Sequence, residues 1–286
     1  LSQTYPHIEI IVVDDNHPDT EYRSKTERQM LRYKENDNVV YLKNGKNLGG
    51  ALARNKGIEH ATGDYITFLD DDDIYLPDKV HIQLAKMQRE NLDLCFMDVR
   101  IHNTLDKLVD YREHSYVRNT SNEELLRQHL VHNLTPTATY MFQTRKLRDI
   151  GGFDDVQVGQ EFVLMLKSIE RGLKIGYIPE AHVIQYVHNG ERISVGQVKL
   201  DKEIDLYRLK KTYFMRLTHG QRKFVTFRHY VVMAIAAKRS RRFDIFIKHI
   251  FLSFVNSPAI FFVELFGHAR RIRRYKNVNA GKKMFM

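Results

Sequence analysis

Four consecutive aspartates, Asp70-Asp71-Asp72-Asp73, follow directly on the apolar run Tyr65-Ile66-Thr67-Phe68-Leu69. Carboxylates crowded at one strand end repel one another unless a cation or hydrogen-bond donors compensate. A hard divalent ion takes oxygen ligands, and Mg²⁺ commonly uses one or two carboxylates plus the phosphates of a substrate. Side chains alternate along a strand, so Asp70 and Asp72 can converge on one cation while Asp71 faces elsewhere. A solvated turn capping the helix that starts near Pro77 is the plainer alternative. A second acidic pair, Asp14-Asp15, closes the β-branched run at residues 8–13. Both clusters therefore sit where strands end.

The elements that must position these acids alternate in type. Residues 8–13, 39–42, 65–69, 92–99, 137–143 and 174–178 read as strands, the last stopped by Pro179. Helical spacing fills 21–36, 51–60, 77–89, 112–130 and 161–171, the last closed by Gly172. This alternation predicts an α/β, Rossmann-like, mainly parallel sheet with helices on both faces. In such sheets ligands bind beyond the carboxyl ends of the strands, the edge that both acidic clusters occupy. Past residue 197 strand signals give way to helical spacing with dense Lys and Arg. The division expected is a catalytic domain at 1–197 and a basic, largely helical region at 198–286.

The chain has 286 residues, 43% hydrophobic and 28% charged, so it is an ordinary folded protein. Its formal net charge of +10 asks for an acidic partner. Cys95 is the single cysteine, which excludes an internal disulfide and a Cys-rich metal site. Within the apolar run 92–99 it reads as core, and this usage suits a reducing compartment. No signal peptide opens the chain, and Leu1-Ser2-Gln3-Thr4-Tyr5-Pro6 reads as the interior of something longer, with an N-terminal strand expected before it.

The basic region carries Lys210-Lys211, Arg222-Lys223, Lys238-Arg239, Arg241-Arg242 and the run 270–274. Residues 250–266 are nearly apolar but are interrupted by Asn256, Pro258 and Glu264. That makes a poor spanning helix and a better interfacial hairpin, with the flanking cations drawn to anionic lipid. The alternative is a helical subdomain packing Phe251, Phe254 and Phe261 on the catalytic domain. Nucleic acid is disfavoured as a partner: the aromatics lie in apolar runs, not across a basic face, and no recognition motif is present.

Three ordered segments resemble the family 2 glycosyltransferases, which adopt the GT-A fold. They are residues 4–15 ending in Asp14-Asp15, Asn47-Leu48-Gly49-Gly50-Ala51-Leu52-Ala53-Arg54-Asn55-Lys56-Gly57, and residues 63–73 ending in the four aspartates. A Gly151-Gly152-Phe153-Asp154 turn follows, with Glu161 at the start of the next helix. The resemblance implies an inverting transfer from a nucleoside-diphosphate sugar, UDP-linked by family habit, to a saccharide, lipid-linked or cell-surface polymer acceptor. It puts Asp15, with Asp14 beside it, at the uridine end, and Arg54 on the base or its phosphates. Asn47 and Asp71 are also implied at the nucleotide. Asp70 and Asp72 match the family's Asp-x-Asp motif for Mn²⁺ or Mg²⁺, Asp72 being the direct ligand.

By the same resemblance Glu161 is the general base, although the second acid often found there is Phe162. Asp154 and Asp155 are the fallback. His188 would complete the metal shell, and Arg192 would contact phosphate. A cytoplasmic enzyme lying peripherally on the inner face of the membrane is expected. The competing readings are a sugar-nucleotide-binding scaffold without turnover and a Mg²⁺-dependent nucleotidyltransferase. A phosphatase is disfavoured because its nucleophilic Asp and later Lys and Asp pair do not occur in order.

Overall fold

A computed structural model describes residues 1–156, 159–187 and 197–282. The chain forms β1 Ile10–Asp14, α1 Glu21–Met30, β2 Val39–Lys43, α2 Gly50–His60, β3 Tyr65–Thr67, β4 Ile74–Tyr75, α3 Lys79–Glu90, β5 Leu94–Asn103 and β6 Leu108–Arg112. There follow α4 Asn122–His132, β7 Met141–Gln143, α5 Thr144–Asp149, α6 Gln160–Glu170 and β8 Ile175–Val187. The last helices are α7 Gln197–Thr212, α8 His219–Arg239, α9 Phe243–Asn256 and α10 Pro258–Lys282.

Strand β5 shows why the layers form. Its side chains alternate between two apolar clusters: Leu94 and Phe96 join one, Cys95, Met97 and Val99 the other. The first cluster takes in residues of α2, α4, α5 and α6, while α3 covers the opposite face through Leu84 and Met87. A strand buried on both faces needs a continuous apolar run, as residues 94–97 provide. Cys95 is core, and burial pushes its thiol up to about 12.

The larger sheet has the order β3-β7-β5-β8-β4, with β6 added on β5. Among the described residues only β5 and β8 run parallel within it; the β3–β7, β5–β7, β4–β8 and β5–β6 pairs are antiparallel. Strands β1 and β2 pair in parallel as a separate two-stranded sheet. The α/β class therefore stands, but the sheet is mixed where a mainly parallel one was expected. For the β5–β6 pair the reason is local. β6 returns from β5 through a turn closed by Asn103 N–H donating to Lys107 O, and a tight turn forces antiparallel pairing. Alternating sequence patterns do not reveal such short reversals.

Pro179 does not stop β8. Register with β5 shifts between Met97↔Ile178 and Asp98↔Ala181, so Pro179 falls in an irregularity, where its missing N–H costs no ladder bond. The expected strand at 137–143 opens with a 3₁₀ turn and contributes only Met141–Gln143 to the sheet. Helix α4 begins well after residue 112, which ends β6; Ser121 caps it by accepting from Glu124 N–H at 3.4 Å. Past residue 197, Leu217 and Val225 are buried in the same cluster as β5, with Leu206, Tyr207 and Phe224 packed against it. Helices α7 and α8 thus pack into the same core as β5.

The turn between α5 and α6 holds Gly152 at φ +61°, where a Cβ would stand 2.6 Å from Asn55 Oδ1. Neighbouring Gly151, at φ +82°, has open space around it. Gly152→Ala should lower unfolding free energy by about 2–4 kcal/mol, and Gly151→Ala by only about 1 kcal/mol, in urea titrations.

Candidate active site

The Asp14-Asp15 pair is divided by strand alternation. Asp14 is 3% exposed and points into the fold. One of its oxygens lies 3.1 Å from Arg23 Nε and accepts from Tyr41 OH at 2.5 Å, while the other accepts from Asn16 N–H and Nδ2. The same Arg23 donates to the carbonyls of Asp14, Asn16 and Asn44, so one guanidinium closes the end of β1. Asp14 therefore holds its neighbour in place. Asp15 turns toward the glycine loop and accepts from Leu48 N–H at 2.9 Å, Gly49 N–H at 2.8 Å and Asn44 Nδ2 at 2.7 Å. Asn47 is exposed and donates to the Asp15 carbonyl at 3.0 Å. Gly49, at φ +85°, then turns the chain into α2.

One turn into α2, Arg54 crosses to the second acidic cluster. Its Nη2 reaches Asp70 Oδ1 at 2.5 Å, its Nη1 reaches Gln160 Oε1 at 3.3 Å, and its guanidinium lies 5.5 Å from the centre of the Phe153 ring. A Cβ on Gly50 would stand 3.1 Å from Arg54 Nη1, so glycine at 50 lets the arginine lie close to the loop. Next along the helix, Asn55 accepts from Phe153 N–H and donates to Phe153 O, each at 2.8 Å. This pair of bonds docks the Gly-Gly-Phe-Asp turn on α2 and stations Phe153 beneath Arg54, edge-on to Phe68 at 5.2 Å.

The four aspartates end up in three environments. Asp70 pairs with Arg54; Asp71 and Asp72 are exposed; Asp73 is 8% exposed. Asp73 accepts from Tyr186 N–H at 3.2 Å through Oδ1, while its buried Oδ2 has no partner among the described residues. Burial pushes its carboxyl up to about 7, the hydrogen bond from Tyr186 opposing and the charges of Asp72, Asp70 and Asp71 adding to the rise. Beneath this turn, Lys79 donates to Thr67 Oγ1 and stands 4.0 Å over the Tyr75 ring. Tyr75 OH in turn donates to the Phe68 carbonyl. Burial drives the Lys79 ammonium well below the usual lysine range. That strut ties β3 to α3 on either side of the acids.

Glu161 lies in the first turn of α6, partly exposed, after Gly159 at φ +57°. Burial raises the pKa of Tyr140, just before β7, and the charge of Glu161 adds to the rise. The next residue, Phe162, is 1% exposed and stacks on His129 at 4.1 Å. Asp154 is held by Lys167 at 2.5 Å and shapes the turn. His188 and Arg192 lie outside the described residues.

Among the described residues no three His, Cys, Asp or Glu side chains group closely enough to hold a metal by themselves. The donor set still fits a hard divalent ion completed by phosphates: Asp70 and Asp72 supply carboxylate oxygens on an exposed turn, and Asp73 keeps a buried oxygen unpartnered. The sequence foresaw the edge and the acids. It gave no weight to Gln160, Asn55 or Arg23, whose roles depend on partners distant in the chain; the amide of Asn55 beside Arg54 was the available signal for the turn docking.

The Glycosyl transferase family 2 model matches residues 1–149. The chain belongs to this family. The Gly-Gly-Phe-Asp turn and Glu161 lie beyond the matched residues. Among family relatives, the putative teichuronic acid biosynthesis glycosyltransferase TuaG of Bacillus subtilis (strain 168) is 40% identical over 96 residues, 34% of this chain and 36% of TuaG. The Escherichia coli UDP-Glc:alpha-D-GlcNAc-diphosphoundecaprenol beta-1,3-glucosyltransferase WfgD is 32% identical over 103 residues, 36% of this chain and 38% of WfgD. The match thus spans little more than a third of either relative. S. aureus TarS 1–349, solved in complex with UDP-GlcNAc, superposes with a TM-score of 0.58 over 100% of this chain and 86% of that one. Identity is 15%, so the likeness is one of GT-A fold.

Asp73 also sets a pH dependence. Its folded pKa lies above the unfolded value, so the folded state holds a proton that the unfolded chain releases. Its contribution to stability is full below about pH 4 and declines as pH rises to about 7. Urea midpoints between those limits should therefore fall less steeply with rising pH for Asp73→Asn than for the parent.

Proposed function

We propose that this chain transfers a sugar, with inversion, from a UDP-linked donor to a hydroxyl of a saccharide or lipid-linked surface-polymer acceptor. The observation that carries the reading is the run of contacts from Asp15 through the glycine loop to Arg54 and Asp70, beyond the carboxyl ends of β1 and β3. In this reading the uridine end lies against Asp15 and Asn47, with Asp71 on the nucleotide side. An Asp15 oxygen keeps acceptor capacity for an imide N–H beyond the amides it already holds. Arg54 forks onto donor oxygens. Residues 1–197 form the unit that binds the donor.

Asp70 and Asp72 would hold Mn²⁺ or Mg²⁺, with His188 completing the shell and Arg192 on a phosphate. The ion would supply Lewis-acid neutralisation of the diphosphate as its charge grows. Glu161 takes the proton of the acceptor hydroxyl from the face opposite the departing diphosphate, which yields inversion. Phe162 does not weaken this assignment, since its side chain belongs to the core and leaves Glu161 as the partly exposed acid of the helix start. The scaffold reading without turnover predicts UDP binding with no transfer, the outcome that the turnover assay below separates.

The names of the relatives agree on substrate class: TarS was solved with UDP-GlcNAc, WfgD is named for a UDP-glucose donor and a diphosphoundecaprenol acceptor, and TuaG for teichuronic acid synthesis. We extend to this chain a bacterial envelope polysaccharide as product. Its place is on the cytoplasmic face of the membrane, bound peripherally through the basic C-terminal region.

Calorimetric titration of UDP and GDP, with and without Mn²⁺, tests the donor site. UDP should bind only with metal, and Asp72→Ala should weaken it at least about tenfold. Glu161→Gln should bind UDP like the parent yet lose about 10²–10⁴-fold in transfer, the usual worth of a general base. Failure of UDP to bind with metal present, or parental transfer by Glu161→Gln, would overturn the reading.

A further inference from the structure

Helix α9 is apolar on two opposite sides. Its inner side seats Ile245 and Phe246 on a small cluster of Leu200, Met233, Ala236 and Ala237. Its outer side presents Ile247 at 66%, Phe251 at 63% and Val255 at 58% exposure, a helical stripe at i, i+4 and i+8. After Ser257 the chain bends by 114° into α10. The stripe continues across the bend: Phe254 meets Phe262 at 6.1 Å between ring centres, and Phe262 stacks on Phe266, itself 60% exposed, at 6.4 Å. Among the described residues no single helix is long and apolar enough to cross a membrane; this bent pair passes only as a pair, by length and composition.

The bend is held in place. Asn256 Nδ2 donates to the Lys223 carbonyl of α8 at 2.9 Å, Ser253 is fully buried, and Phe261 packs edge-on to both Phe227 and Phe254. Of the three phenylalanines expected to pack on the catalytic domain, Phe261 packs on α8, whereas Phe251 and Phe254 keep exposed surface. Contiguous apolar surface of this kind marks a binding face.

Charge decides the occupant. Between Lys238 and Arg271 there are seven Lys or Arg against two acids, Asp244 and Glu264. The cations gather at both ends of the apolar stripe, at 238–242 and at 270–271. A second copy of the chain on this face would set like charges against like, whereas an anionic lipid surface meets them with the opposite sign.

We infer that α9 and α10 form a bent apolar wedge that enters the headgroup–acyl boundary of one leaflet of an anionic bilayer, fixed to α8 by Asn256. The inference deepens the membrane placement proposed above, from adhesion by charge to insertion of a defined segment. It is independent of the donor-site reading, because vesicle binding is read without turnover.

The chain contains no tryptophan, so Phe262→Trp introduces a single depth-reporting indole with little change in volume. With vesicles of phosphatidylglycerol and phosphatidylcholine, its emission should shift to the blue. Lipids brominated near the carbonyl end of the acyl chain should quench it. In flotation with the same vesicles, Phe251→Ser/Phe262→Ser/Phe266→Ser should lose at least about tenfold in partitioning. The parent should remain bound in high salt, and Arg241→Ser/Arg242→Ser should weaken binding at low salt only. Circular dichroism and UDP calorimetry on each variant separate loss of the wedge from loss of the fold or of the donor site. An unquenched indole, parental partitioning by the triple serine variant, or a dimer in light scattering that this variant dissolves would overturn the inference.

Discussion

Negative charge accumulates where β1 and β3 end, and every nearby element answers it in a different way. Arg23 closes around Asp14, and loop amides receive Asp15. Arg54 takes Asp70, and Asp73 keeps a proton to about neutral pH because it is buried. Six carboxylates at one edge would repel the fold apart if all were ionised and unpaired. Three different kinds of compensation act on four of them, and Asp71 and Asp72 stand on the exposed side of the turn. The amides of the glycine loop and the arginine one turn into α2 make sense as consequences of that crowding.

The sequence disclosed the layered α/β architecture, the acidic edge and the buried Cys95, because these rest on local signals: apolar runs, strand ends and composition. It did not disclose the division of labour within each cluster. Asp14 and Asp15 look equivalent in the chain, yet one faces Arg23 and the other faces Leu48, a difference of strand phase alone. Asp73 is indistinguishable from Asp72 until Tyr186, more than a hundred residues away, arrives over it. The direction of the short strands was hidden for a related reason: β4 and β7 pair with strands distant in the chain, and β6 returns on β5 through a turn too brief to leave a periodicity. Pro179 misled because a proline signals a break only when its N–H was needed.

Phe162 shows how a departure from an expected pattern can be read correctly only in three dimensions. In the chain it stands where a second acid is expected and suggests lost chemistry. In the fold it stacks on His129, with Lys210 Nζ 5.0 Å from the ring centre, and it anchors the first turn of α6 to α4 and α7. Glu161 owes its position to that anchor.

Helix α2 touches both acid clusters, and among the described residues no strand hydrogen bonds join β1 to β3. Its first residues are gripped by Asp15, Arg54 by Asp70, and Asn55 by the turn at Phe153. An α-helix rises about 1.5 Å per residue and resists stretching, so the axial separation between these grips is roughly 7 Å. The helix is therefore a ruler. The distance along the helix from the Asp15 grip at Gly49 to the backbone of Arg54 is fixed in this way, and only the arginine side chain completes the reach to Asp70.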